Sequence, residues 1–221
     1  MEFQLTQTEE NYLKSIYSLE ISSSKNVSTT LLAKKMKTKA SSVTDMIKKL
    51  DDKDLVDYEK YKGVSLTKIG NSIAVKIVRK HRLWEVFLVN KLEYNWDEVH
   101  EIAEQLEHIK SYSLIDRLDK YLEFPTNDPH GDPIPDKDGN IEHHKNVMLS
   151  SIKKGNSCTI IGVKDSSSSF LKFLDNSNIK LGSNIKVTAI EEFDNSMLIE
   201  NNKISLSISN QISKNLFVKK S

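Results

Sequence analysis

Between Val99 and Ile109 the chain reads VHEIAEQLEHI. At helical spacing, ~100° per residue, His100, Glu104, Glu107 and His108 fall on one stripe about 100° wide. Val99, Ile102, Leu106 and Ile109 take the other side. Upstream, in KHRLWE, His81 and Glu85 lie one helical turn apart on a shared face. A helix that lines up imidazoles and carboxylates against an apolar back either binds a divalent cation or carries an expensive crowd of like charge.

The formal net charge of +1 conceals an uneven distribution. Residues 33–49 hold six lysines against Asp45 alone, whereas residues 91–145 hold 14 acids against six Lys or Arg. All six histidines lie between His81 and His144. One surface therefore suits phosphates and another suits cations. Solvated lysine-rich and acidic helices are the plainer alternative, and charge alone favours it. The motifs decide otherwise. Cys158 is the single cysteine, so no intrachain disulfide framework exists and a reducing compartment fits. No apolar run approaches the ~18 residues that span a bilayer. The start, MEFQLTQTEE, lacks a basic-then-apolar secretory pattern. The cytoplasm is the expected location, with no membrane partner.

Apolar residues Tyr12, Leu13, Ile16, Tyr17 and Leu19 predict a first helix over 8–20, with Thr6 and Glu9 as its capping box. SSSKN (22–26) reads as a loop. TTLLAKKM predicts a second helix capped by Ser28 or Thr29, KTKA a short link, and SSVTDMIKKLDDKDL (41–55) a third helix with Val43, Ile47 and Leu50 inward. LVDYEKYKGVSLT predicts a hairpin around Lys62 and Gly63. Helix, helix, short link, helix and hairpin make a winged helix-turn-helix. Ser41, Ser42, Thr44 and Asp45 occupy the first turns of its second helix, where base edges are reached. Lys39, Lys48, Lys49 and Lys62 are placed for phosphates, which position without specifying. Residues 67–90 predict a long helix too apolar for a lone surface helix. Asp97 is expected to cap a helix over 98–109, and Ser111 or Ser113 to start another. Helices on short links with broad apolar faces suit dimerisation. All four prolines fall in 125–135, which no regular element survives. His130-Gly131-Asp132 in that segment reads as a turn. His143 and His144 precede a short helical stretch ending near Ser150. Beyond Lys153, CTIIGV, NIKVTAI, SMLIE, ISLSI and LFV alternate with period two. Five strands in about 70 residues, with SSSFLKFLDNSN as an inserted helix, predict a small, partly open β-barrel.

The segments EENYLKSIYSLE, SSVTDMIKKLDDKDLV, YKGVSLTKIG, RKHRLWEVFLV, EVHEIAEQLEHI and FPTNDPHGDPIP resemble the diphtheria-toxin-repressor and manganese-transport-regulator family of metal-dependent transcriptional repressors. With the barrel-like tail, the likeness is to its three-domain, streptococcal-like branch. The resemblance implies a mainly α chain with a small β domain: a winged helix-turn-helix over 1–66, a helical metal-binding and dimerisation domain over 67–145, and an SH3-like (FeoA-like) β-barrel over 146–221. It implies one metal site from Glu104, Glu107 and His108, with Asn11 where the family usually has Asp or Met, and Asp128 where relatives have a cysteine. Asn11 is a weaker, neutral ligand, so Glu10 is an alternative. Lys14 and Glu20 lie beside that site without a ligand role. A second site would use His81, Glu85 and His100, closed by Asp165.

Oxygen and imidazole donors without sulfur favour Mn²⁺, leave Fe²⁺ open, and allow Zn²⁺, Co²⁺ or Ni²⁺ to bind in vitro. The resemblance implies a homodimer that represses metal-uptake genes on a palindromic double-stranded operator when metal is bound. A metal-storage or metal-delivery protein is the first rival. A metallohydrolase is the weaker one, since HExxH, nucleophile elbow and phosphate loop are all missing from the sequence.

Overall fold

The computed structural model describes residues 4–23, 26–141, 147–202 and 204–220. His143 and His144, and Ser24 and Lys25 of the expected loop, lie outside the described residues. The chain divides into two compact units: Met1–His81 with Glu104–Asp116 and Pro135–Asn140, and Arg82–Ala103 with Arg117–Ile134 and Ile141–Ser221.

In the first unit, α1 (Gln7–Ser23) starts at the expected capping box. The Glu9 amide donates to Thr6 Oγ1 and the Thr6 amide to Glu9 Oε2, which satisfies two donors that a helix start leaves unpaired. Then come α2 (Thr29–Lys35), whose Ser28 cap accepts from the Leu31 amide, and α3 (Ala40–Asp51). Val43, Ile47 and Leu50 of α3 turn into a core with Leu13, Ile16, Leu32 and Leu55. The hairpin pairs β1 (Val56–Glu59) with β2 (Gly63–Leu66), from Val56 opposite Leu66 to Glu59 opposite Gly63. Gly63 has φ +103°, and a Cβ there would lie 2.7 Å from Val27 O, so the position excludes side chains. Glu20 Oε1 accepts from the Leu66 amide and ties α1 to the hairpin.

The long helix α4 (Lys68–Leu92) is buried on nearly all sides from Ile77 to Val86. Arg79, Lys80, His81 and Glu85 are buried within that run. α5 spans Val99–Leu106, shorter than expected, and α6 spans Tyr112–Tyr121, with Ser111 Oγ accepting from the Leu114 amide. The Asp97 carboxylate is engaged elsewhere, since it accepts from Ser168 Oγ and faces Lys172 at 3.4 Å.

In the second unit, six antiparallel strands surround one apolar core. They are β3 (Val147–Met148), β4 (Ser157–Val163), β5 (Asn184–Ile190), β6 (Met197–Asn201), β7 (Ile204–Ile208) and β8 (Leu216–Lys220), in the order β3-β8-β4-β5-β6-β7. α7 (Ser168–Asn176) is inserted between β4 and β5, and the short α8 (Asn210–Ser213) precedes β8. β3 and a 3-10 turn, Leu149–Ser151, stand where a short helical stretch was expected. Val147 and Met148 pair with Val218 and Phe217, so long-range pairing overrides the local pattern. Among the described residues no helix is long and apolar enough to cross a membrane.

Glu9 is fully buried at the start of α1. Burial alone would raise its pKa. Hydrogen bonds from Lys53, the Thr6 amide and Lys49 outweigh that and hold it at about 2, below the ordinary 4.5. A depressed carboxyl pKa stabilises the fold above 4.5 and loses that contribution as pH falls toward 2. Glu9→Gln should therefore lower the melting temperature at pH 7. The difference from the native chain should shrink between pH 4.5 and 2, as followed by circular dichroism.

Candidate metal centre

Two polar clusters form, one in each unit. In the first unit, α1 presents Glu10 and Lys14 one turn apart. The His108 Nδ1–H donates to Glu10 Oε2 at 2.5 Å. The His81 Nδ1–H donates to Glu107 Oε2 at 2.6 Å. Lys14 Nζ lies 2.5 Å from Glu104 Oε1 and 2.7 Å from Glu107. Glu107 is wholly buried. A carboxylate in that position costs several kcal/mol unless cations and donors surround it. Between Asn11 and Glu10, it is Glu10 that reaches His108. Asn11 Oδ1 is buried and accepts no hydrogen bond. A buried neutral oxygen without a donor, one residue from Glu10, is open to a hard divalent cation.

In the second unit Glu85, Asp128 and His130 are all buried, and their ligand atoms lie within 4.8 Å of one another. His100 Nδ1 is 3.3 Å and His130 Nδ1 3.6 Å from the Glu85 carboxylate. His130 stacks on Trp96 and donates Nε2–H to Trp96 O at 2.9 Å. Metal-bound histidines are held in this way: one ring nitrogen donates to a carbonyl and the other faces the ion. Asp128 Oδ1 accepts from the amides of His130 and Asp132, which closes the turn and leaves Oδ2 3.6 Å from Arg82 Nε. Arg82 also donates to Pro133 O and faces Asp132 at 3.7 Å. Burial pushes the Asp128 carboxyl up to about 7, with Glu85 and Asp132 adding to it against Arg82 and His130. Burial would lower the His130 imidazolium, but Glu85, Asp128 and the Trp96 carbonyl lift it to about 9.

β4 fixes this turn. The Val163 amide donates to His130 O at 2.9 Å. Gly131 has φ +89°, and a Cβ on it would lie 2.2 Å from Ile161 O. His130, which reads from sequence as part of a turn, is brought together with Glu85 and Asp128. Its signal was the D-x-H spacing with Asp128 inside a proline-fixed loop. Asp128, expected beside Glu104, Glu107 and His108, is gathered with Glu85 and His130. His81 pairs with Glu107 at 2.6 Å. Asp165 is half-buried just past Val163, and its Oδ1 accepts from the Ser167 amide.

On α3, Ser41, Ser42, Asp45, Lys48 and Lys49 are exposed, as is Lys39 before it. Thr44 turns its hydroxyl back to Ala40 O. Lys49 also lies 3.1 Å from Glu9, and Lys62 pairs with Glu59 at the hairpin tip.

Residues 4–64 match the family model of the iron dependent repressor N-terminal DNA binding domain. Residues 67–136 match the iron dependent repressor metal binding and dimerisation domain, and 147–220 the FeoA domain. A solved manganese-dependent transcriptional repressor in complex with manganese superposes with a TM-score of 0.88 at 35% identity, over 96% of this chain and 100% of that one. The chain belongs to the diphtheria-toxin-repressor and manganese-transport-regulator family. The transcriptional regulator MntR of Oceanobacillus iheyensis is 31% identical over 151 residues, 68% of this chain and 95% of that protein. The iron-dependent repressor IdeR of Mycobacterium leprae is 29% identical over 164 residues, 71% of each. As a member of the three-domain branch, this protein is a metal-dependent, DNA-binding transcriptional repressor and not an enzyme. It binds divalent metal and DNA, and it forms dimers.

Gly131→Ala should force the Asp128–Asp132 turn off β4. A loss on the order of 2 kcal/mol is expected from the positive φ and the close approach. Denaturant unfolding measures it; an unchanged midpoint would mean that the turn moves freely.

Proposed function

We propose that the protein is a manganese-responsive repressor of metal-uptake genes, with two metal centres of different function. The first comprises Glu10, Asn11, Glu104, Glu107 and His108, with His81 behind Glu107. The second comprises Glu85, His100, Asp128 and His130, with Asp165 at its rim. Neither contains sulfur. Cys158 is buried in the barrel core and Met36 Sδ accepts from Ser15 Oγ, so these two soft donors are engaged elsewhere. Oxygen and imidazole donors favour Mn²⁺, and Fe²⁺ accepts the same set. A three-part division at residues 66 and 145 belongs to this reading, and matches to family models at 4–64, 67–136 and 147–220 support it.

One observation carries the reading: the first helix of the DNA-binding unit and the carboxylate end of α5 meet through Glu10–His108 and Lys14–Glu104–Glu107. Glu10, Glu104, Glu107 and His108 would hold a divalent cation, whose charge would offset the three carboxylates. Glu10 and Asn11 then hold α1 against α5, and α1 fixes α3 through Glu9, Lys49 and Lys53. α3 lies in the major groove, with Ser41, Ser42, Thr44 and Asp45 toward base edges and Lys39, Lys48, Lys49 and Lys62 toward phosphates. A homodimer spaces two such helices over palindromic half-sites, and α6 offers exposed Tyr112, Leu114 and Tyr121 to a second copy. Metal and operator strengthen each other by one factor, typically about 5–150-fold. The cytoplasm is the compartment that fits a repressor with a reduced, buried cysteine.

The test is selection of duplexes from a random pool with Mn²⁺, followed by retardation of the winners with and without metal. Glu107→Gln should remove metal-activated binding while the dimer persists by sedimentation; a full metal response in this variant refutes the first centre. His130→Ala should reduce bound Mn²⁺ by one ion per chain in equilibrium dialysis and weaken retardation without abolishing it. Unchanged stoichiometry refutes the second centre.

A further inference from the structure

Lys14 is the member of the first cluster that no metal needs. It stands on α1 one turn after Glu10, and its side chain is only 15% exposed. Its ammonium lies between two carboxylates, 2.5 Å from Glu104 and 2.7 Å from Glu107. Those are the same two carboxylates that the first metal centre would use. A divalent ion bound to them would sit within about 4 Å of the ammonium, where like charges in a poorly solvated site repel strongly. The two cations cannot share the pair.

We infer that Lys14 is a built-in competitor for the first metal centre: its ammonium neutralises Glu104 and Glu107 until a divalent cation displaces it, and so sets the metal concentration at which the repressor responds. This rests on the reading of the first centre given above. The device solves two problems of a regulatory site. Buried Glu107 keeps a cation in both states, so the metal-free fold does not carry an uncompensated charge. The metal must also overcome the ammonium before it binds, which lowers apparent affinity without changing any ligand. Lys14 and Glu10 are neighbours on one face of α1, so departure of Lys14 clears the helix face from which Glu10 and Asn11 reach the ion.

The experiment compares Mn²⁺ affinity, by the electron paramagnetic resonance signal of free Mn²⁺, for the native chain, Lys14→Gln, Lys14→Arg and Glu107→Gln. Lys14→Gln should bind the first Mn²⁺ at least about tenfold more tightly, because the competing charge is gone. It should also melt lower without metal and gain more from Mn²⁺. Lys14→Arg keeps the charge and should stay within about threefold of the native value. If Lys14→Gln binds Mn²⁺ equally or more weakly while Glu107→Gln loses an ion, Lys14 is a structural strut and the inference is wrong, with the centre intact. If Glu107→Gln loses no ion, the centre itself is misassigned and the inference falls with it. A second readout needs no variant to fold: in the native protein with ¹³C-methylated lysines, Zn²⁺ should move the Lys14 resonance to the position of exposed lysines. A Lys14 resonance that stays in place on Zn²⁺ addition overturns displacement.

Discussion

Glu107 is a carboxylate with no exposed surface, and the first unit is organised around giving it positive partners. His81 reaches it from α4 and Lys14 from α1, so three helices converge on one charge. An isolated buried carboxylate would cost more than most side-chain contacts return. In this structure His81 and Lys14 meet that demand for positive charge. In the proposed mechanism a divalent cation would replace the ammonium, at the joint between the helix that positions the DNA reader and the end of α5.

The second cluster uses a different device. Glu85, Asp128 and His130 are brought together by a turn whose backbone is pinned to β4 through Val163 and the close approach at Gly131. Prolines remove conformational freedom on either side of that turn, and Asp128 closes it with its own Oδ1. The sheet thus acts as a rigid wall that positions side chains from a loop. Asp97 and Trp96 add to the same packing by binding α7, through Ser168 and Asp175.

Much of the fold was legible in the sequence. Period-3.6 patterns gave α1 to α4, the Thr6–Glu9 box gave the start of α1, and alternating runs gave five of the six strands. β3 was not legible, because two residues carry no period and their strand state comes from pairing with β8. The residue types of the two polar clusters were legible, but their grouping was only partly so. Periodicity places side chains on one helix face, yet says nothing of what a loop distant in sequence brings to that face. Asp128 and His130 are in that class. The choice of Glu10 over Asn11 as the partner of His108 was likewise invisible, since both are on the same helix turn and only side-chain reach separates them.

Occupancy of the first centre and binding to DNA form one equilibrium in this mechanism. The most direct test is reciprocity, measured at a single stated salt concentration because phosphate contacts make DNA affinity salt-dependent. Mn²⁺ affinity is determined for the protein alone and saturated with a selected duplex, and DNA affinity with and without Mn²⁺. DNA should tighten Mn²⁺ binding by the factor, counted over all coupled ions, with which Mn²⁺ tightens DNA binding. Equal Mn²⁺ affinity with and without DNA would contradict the coupling.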